Sequence, residues 1–195
     1  MSWPSYIVQP DAFSGAECDE IQRIGHLVLE SGGPESAGIE GLSGPGPLRE
    51  TVVAWIPRGE DTEWIFERME MLSDRCNQAW GLAVDGIVED LQYTLYEGAG
   101  AHYTWHQDGL DDGVDDRKLS LVVQLSDSTD YTGGDLEFLE VTSDYDPAEQ
   151  RQYHDTVRKR GTAIGFTAFE YHRVTPLRSG TRRSLVAWIS GPRLR

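Results

Sequence analysis

Positive charge is scarce in this chain. Seventeen Lys and Arg stand against 33 Asp and Glu, a formal net charge of −16 over 195 residues. A surface so poor in cations cannot displace counterions from a phosphate backbone, so a nucleic-acid partner is excluded. Cysteine is scarcer still: there are two. Cys18 and Cys76 both fall in segments of helical pattern and lack metal-ligand spacing, so two buried free thiols are expected. No eighteen apolar residues follow one another, and the opening Met1-Ser-Trp-Pro-Ser-Tyr-Ile-Val8 has no basic segment leading into an apolar run. Neither a membrane span nor a secretory leader is expected, and the chain reads as a cytoplasmic protein.

The charge that is present is uneven. Ten of the seventeen Lys and Arg lie from Arg151 onward, a distribution that composition alone reads as a solvated basic face. The length suits one domain, 1–195, large enough to bury a core without disulfides or a structural metal. It divides into a helical part over about 1–88 and a strand-rich part over about 89–195.

Ser14-Gly-Ala-Glu17 matches a capping box, and Ile21, Ile24, Leu27 and Val28 then recur at helical spacing, predicting a helix to about Ser31. His26 lies off that stripe and reads as a surface imidazole. Residues 32–47, rich in Gly, Ser and Pro, read as a loop, and 50–56 as a strand. Asp61 or Thr62 is placed to cap a second helix whose Ile65, Met69, Leu72, Cys76 and Trp80 form a core stripe. Short strands follow at 91–97, 101–108, 118–126, 135–140, 161–167, 169–175 and 183–190. Helices first and many short strands after them predict an α+β chain built on a two-sheet jelly roll. The segment 141–160 interrupts the strands and reads equally as a lid or a solvated excursion; His154 within it has no partner at ligand spacing.

His106-Gln107-Asp108 carries the chemical argument. It ends the second strand of a hairpin around Glu97-Gly-Ala-Gly100, and two side chains separated by one residue on a strand share a face. If strand geometry persists through Asp108, both point to one place. With His172 they make two imidazoles and a carboxylate, the donor set of a non-haem Fe(II) site that keeps coordination positions open. Tyr103, Trp105 and Trp188 read as ordinary core more readily than as pocket wall.

His106-x-Asp108, the distal His172 and Arg182 ten residues beyond it resemble the Fe(II)/2-oxoglutarate-dependent dioxygenases, and in particular their prolyl 4-hydroxylase-like branch. Arg117-Lys-Leu-Ser-Leu-Val-Val-Gln-Leu-Ser126, Gly133-Gly-Asp-Leu-Glu-Phe138, Lys159-Arg-Gly-Thr-Ala-Ile164 and His172-Arg-Val-Thr-Pro-Leu-Arg-Ser-Gly-Thr-Arg182 are similar to that branch in the same order, over about residues 90–190. The resemblance implies a double-stranded β-helix, the cupin-like jelly roll, with His106, Asp108 and His172 as both metal ligands and catalytic centre. It implies Fe(II), 2-oxoglutarate as co-substrate and O2, with ascorbate as a stimulant. Arg182 would hold the far carboxylate of 2-oxoglutarate, its planar fork suiting a bidentate pair; the adjacent Arg183 faces the other way. Tyr96 falls where relatives carry a tyrosine on the same carboxylate. Asp108 favours hydroxylation, since related halogenases carry a small residue there.

The implied reaction is hydroxylation of an unactivated C–H bond of an amino acid, a prolyl peptide or another small molecule, coupled to decarboxylation of 2-oxoglutarate to succinate. Phe166-Thr-Ala168 departs from the Phe-Pro-Ser of many relatives, which concerns the local loop. A different class of function also accommodates the metal ligands, a non-catalytic metal-binding, cupin-like ligand-binding protein. Arg182 discriminates, because a carboxylate anchor remote from the metal serves only the first.

Overall fold

The computed structural model describes residues 3–32, 35–36, 49–109, 114–139 and 155–193. Helix α1, Gly15–Gly32, opens on the capping box: the Ser14 amide donates to Glu17 Oε2 at 2.7 Å and the Glu17 amide to Ser14 Oγ at 3.3 Å. Helix α2, Glu63–Asn77, buries Ile65, Phe66, Met69, Leu72, Ser73 and Cys76 on one side. Thr62 holds its N-cap position but caps nothing with its side chain. The hydroxyl donates to the Pro57 carbonyl at 2.6 Å instead, closing the turn that leads into the helix.

Among the described residues twelve strands make two antiparallel sheets: β1 Tyr6–Gln9, β2 Glu35–Ser36, β3 Arg49–Glu50, β4 Val52–Ile56, β5 Leu91–Glu97, β6 His102–His106, β7 Arg117–Gln124, β8 Tyr131–Gly133, β9 Leu136–Phe138, β10 Ala163–Thr167, β11 His172–Val174 and β12 Leu177–Ser190. The larger runs β1-β10-β7-β12-β5-β4-β2, with β8 paired to β12; the smaller runs β3-β6-β11-β9. The expected jelly roll is present.

The larger sheet is covered on both faces. Against one lie the helices, with Ile21, Ile65, Met69 and Leu72 meeting Leu119, Leu121 and Leu185; the other faces the smaller sheet through Val122, Ile164, Phe166, Phe138 and Leu177. That explains why β7 and β10 read as nearly continuous buried runs rather than alternating ones. Cys18 and Cys76 are buried free thiols in this helical layer.

The stretch expected as one strand over 50–56 divides. Arg49 and Glu50 pair with β6 in the smaller sheet, while Val52–Ile56 pairs with β5 in the larger. The chain changes sheet at the buried Thr51, which leaves Arg49 between the two. Strands β1, β2 and β8 were not expected, so the first 88 residues supply four strands as well as both helices. Each is two to four residues long, too short to show a period. No helix among the described residues is long and apolar enough to cross a membrane.

Gly25 marks where α1 touches the larger sheet, since a Cβ there would fall 2.5 Å from the Tyr93 ring. Two effects oppose each other in Gly25→Ala. Helix propensity favours alanine by about 1 kcal/mol, whereas overpacking a filled contact costs about 1–3 kcal/mol. The ring is the buried side chain of a central strand and has nowhere to retreat, so Gly25→Ala is expected to lower the urea midpoint. A raised midpoint would mean that α1 is free to slide.

Candidate active site

His106 is the last residue of β6, and its Cα stands opposite that of His172 at the start of β11. Strand geometry does not continue to Asp108, contrary to expectation. A backbone clamp replaces it: the amides of Asp108 and Gly109 both donate to the Ala168 carbonyl, at 2.8 and 3.0 Å. Gly109 admits no side chain, because its Cβ would sit 2.7 Å from the Arg117 carbonyl. Ala168 thus supplies the acceptor that fixes Asp108.

The three side chains converge. Asp108 Oδ1 lies 3.5 Å from His106 Nε2 and Oδ2 lies 3.6 Å from His172 Nε2, and the ligand atoms all fall within 4.8 Å of one another. Among the described residues this is the one His/Cys/Asp/Glu group with that geometry. Nδ1 of His106 faces the Thr104 carbonyl at 2.8 Å and Nδ1 of His172 faces the Glu170 carbonyl at 3.0 Å. A carbonyl only accepts, so each Nδ1 carries the proton and each Nε2 presents a lone pair inward. The Ser120 hydroxyl donates to Asp108 Oδ2 at 2.7 Å.

Protonation suits a cation as well. Burial pulls His172 down to about 4 against the opposing pull of Asp108, so the ring is neutral near pH 7. Burial alone would raise Asp108, but His172, His106 and the Ser120 hydroxyl together hold it below the usual carboxylate range. Neutral imidazoles and an ionised carboxylate are the forms that bind a divalent metal.

The group opens on a cavity of about 220 Å³ between the sheets. Arg182 lies in its wall, 1% exposed. Its Nη2 donates to Gln124 Oε1 at 3.0 Å and its guanidinium sits 5.0 Å from the Tyr96 ring centre. Nε and Nη1 are buried with no hydrogen-bond partner. Two orphaned donors on a buried planar cation call for an anionic acceptor such as a carboxylate. Arg183 points to the opposite face, toward Tyr93. Tyr96 also lines the cavity.

Gln124 and Ser120 were not singled out from the sequence. The available signal was their inward alternation on β7, whose stretch from Leu119 to Gln124 is otherwise apolar. Tyr103 and Trp188, expected as core, line the cavity instead; the Tyr103 ring stacks on His106 with centroids 3.4 Å apart. Trp105 lies elsewhere, under Arg173. His26 is partly buried beside Tyr93 rather than free at the surface. Most of the segment expected as lid or excursion, including His154, lies outside the described residues.

Ser120→Ala removes the group that aims Asp108, and loss of such an outer partner weakens metal binding by roughly 10- to 100-fold. Competition titration with Fe(II) or Co(II) would show it, and unchanged affinity would remove Ser120 from the site. His172 gives a pH dependence in metal-free protein. Below pH 6.5 the unfolded ring takes a proton that the folded ring refuses until about 4. Stability is therefore lost as pH falls through that window, by about 1.4 kcal/mol per unit at most. Urea midpoints at pH 7 and 5 should fall further for the parent protein than for His172→Gln; parallel falls would contradict the assignment.

Comparison with known proteins agrees with the geometry. Residues 91–190 match the model of the 2OG-Fe(II) oxygenase superfamily. Among solved structures, a prolyl 4-hydroxylase from Pseudomonas putida is similar at 20% identity and TM-score 0.70, over 96% of this chain and 93% of that one. The viral collagen prolyl hydroxylase of Paramecium bursaria Chlorella virus-1, in its 2OG complex, gives 20% and 0.64 over 97% of each chain. A prolyl hydroxylase from Trichoplax adhaerens, in complex with a peptide fragment of the hypoxia inducible factor oxygen degradation domain, gives 18% and 0.71 over 96% of this chain and 84% of that one. At these identities the likeness is one of fold, the double-stranded β-helix. No curated protein matches in sequence.

Proposed function

The chain belongs to the 2OG-Fe(II) oxygenase superfamily, and from that premise we propose that it hydroxylates an unactivated C–H bond of an amino acid, a prolyl peptide or another small molecule. In this reading residues 1–195 form one catalytic domain acting in the cytoplasm. His106, Asp108 and His172 hold Fe(II) through Nε2, a carboxylate oxygen and Nε2. Three protein donors leave positions open for co-substrate and oxygen. When bound, Fe(II) and 2-oxoglutarate would supply the oxidising chemistry, one oxygen atom of O2 entering succinate as 2-oxoglutarate loses carbon dioxide and the other entering the C–H bond.

The chain's own residues position and exclude. Arg182 presents its unpartnered donors to the far carboxylate of 2-oxoglutarate, while the Nη2 bond to Gln124 fixes the plane of the guanidinium. The Tyr96 ring lies against that plane, with its hydroxyl assigned to the same carboxylate. Val122, Leu136, Val174 and Val186 line the cavity and keep bulk water from competing for the cation. Ser120 and Ala168 hold Asp108 in register with the imidazoles.

One observation carries the reading: a wholly buried arginine with two unsatisfied donors shares a cavity with the three metal-binding side chains. A metal-binding protein of cupin type has no use for it. Anaerobic titration of Fe(II)-loaded protein with 2-oxoglutarate, followed by the visible charge-transfer band of keto-acid chelation, tests the reading. A saturable band is expected, with Arg182→Gln weakening 2-oxoglutarate roughly tenfold or more through loss of charge-assisted hydrogen bonds. Iron binding without a band would favour the cupin-like alternative.

A further inference from the structure

Three guanidiniums line the cavity, Arg49, Arg117 and Arg182, and they differ in what neutralises them. Arg117 is fully engaged. Its Nε donates to Glu89 Oε1 at 2.7 Å, its Nη2 pairs with Glu89 Oε2, its Nη1 approaches the Asp108 carbonyl, and its plane lies 3.8 Å from the Trp188 ring centre. Arg182 is reserved by the reading above for 2-oxoglutarate. Arg49 is left over.

Arg49 is 6% exposed. Its Nε donates to the Thr51 hydroxyl at 2.7 Å and its Nη1 reaches Gln92 Oε1 at 3.4 Å, both neutral acceptors. Its guanidinium lies 4.7 Å from the centre of the Tyr103 ring, the ring that stacks on His106. No carboxylate among the described residues pairs with it. Burying a cation without an anion is costly, and in so acidic a chain a carboxylate partner would have been easy to supply.

Glu89 neutralises Arg117, and Fe(II) balances dianionic 2-oxoglutarate. Asp108 offsets one of the two remaining arginines. A single positive charge then persists in the cavity, and among the described residues Arg49 has no other counter-ion. Gln92, on which Arg49 rests, stands four residues from Tyr96 along β5, roughly 13 Å of strand. Arg182 pairs across from Tyr96, so the surplus cation belongs to the other end of the cavity.

We infer that the substrate to be oxidised carries a carboxylate, and that Arg49 anchors it beside the metal centre. The inference rests on the oxygenase reading and narrows its substrate class to carboxylic acids, among which free and N-acylated amino acids are the simplest. Gln92 and Thr51 orient the guanidinium, and Tyr103 supports it from the side of His106. The buried and unpartnered Trp188 Nε1 in the same wall offers a further donor to a polar substrate group.

The test uses Fe(II)-loaded protein with 2-oxoglutarate and two matched probe pools: free and N-acetyl amino acids, and the corresponding C-terminal carboxamides. Succinate release under air and perturbation of the anaerobic charge-transfer band are both read. The carboxylate pool is expected to stimulate and perturb at concentrations roughly tenfold or more below the carboxamide pool, as loss of a charge-assisted contact implies. Arg49→Gln should abolish the preference and Arg49→Lys restore part of it, with 2-oxoglutarate affinity in the same samples reporting that the fold persists. Equal response to the pools, no response to either while 2-oxoglutarate binds, or an Arg49→Gln defect in 2-oxoglutarate affinity itself would each overturn the inference. Failure of 2-oxoglutarate to bind the parent protein would instead overturn the oxygenase reading.

Discussion

Everything in the cavity is arranged around one buried negative charge. Asp108 is 8% exposed and carries the only carboxylate of the described residues among the groups that line the space between the sheets. Removing a carboxylate from water is unfavourable, and the Ser120 hydroxyl offsets part of that cost, while the neutral imidazoles turn lone pairs toward the same point and leave the rest to a bound cation. Two segments sixty residues apart are thereby tied, since the Asp108 and Gly109 amides depend on the carbonyl of Ala168 and His172 follows four residues later. Disturbing either segment moves all three side chains.

Much of this was legible in the amino-acid order. The capping box at Ser14, the apolar stripe of α2 and the hairpin around Glu97–Gly100 rest on local rules, and local rules survive folding. The spacing of His106, Asp108, His172 and Arg182, read against a family pattern, located residues that the fold brings to one cavity. Less legible were contributions that arise only when distant strands meet. Gln124 reads as one polar residue in an apolar strand until Arg182 lies beside it. Arg49 sits at the end of a loop-like stretch, and nothing local says that the chain will change sheets two residues later. Tyr103 and Trp188 have the composition of core and the position of a wall, a distinction that depends on what they leave open.

The chain separates its charges sharply. Among the described residues Asp108 is the one buried acid, whereas three arginines line one space of about 220 Å³. Exposed carboxylates are screened within about 8–10 Å at ordinary ionic strength, so they relieve the internal cations little. The interior positive potential is therefore held by local partners, one arginine at a time: Glu89 for one, a neutral glutamine for another, a threonine and a glutamine for the third.

Strand β1 covers an edge of the larger sheet. It lies along β10, whose residues Ala-Ile-Gly-Phe-Thr carry no charge and no proline, a composition that pairs readily with other chains when its edge is bare. β1 occupies that edge with four residues, and Gln9 fastens it to α2 through the Leu72 carbonyl at 2.8 Å. Residues Tyr6–Gln9 thus guard the edge of the folded protein, and a chain trimmed past Gln9 would expose an adhesive edge beside a chemically intact centre.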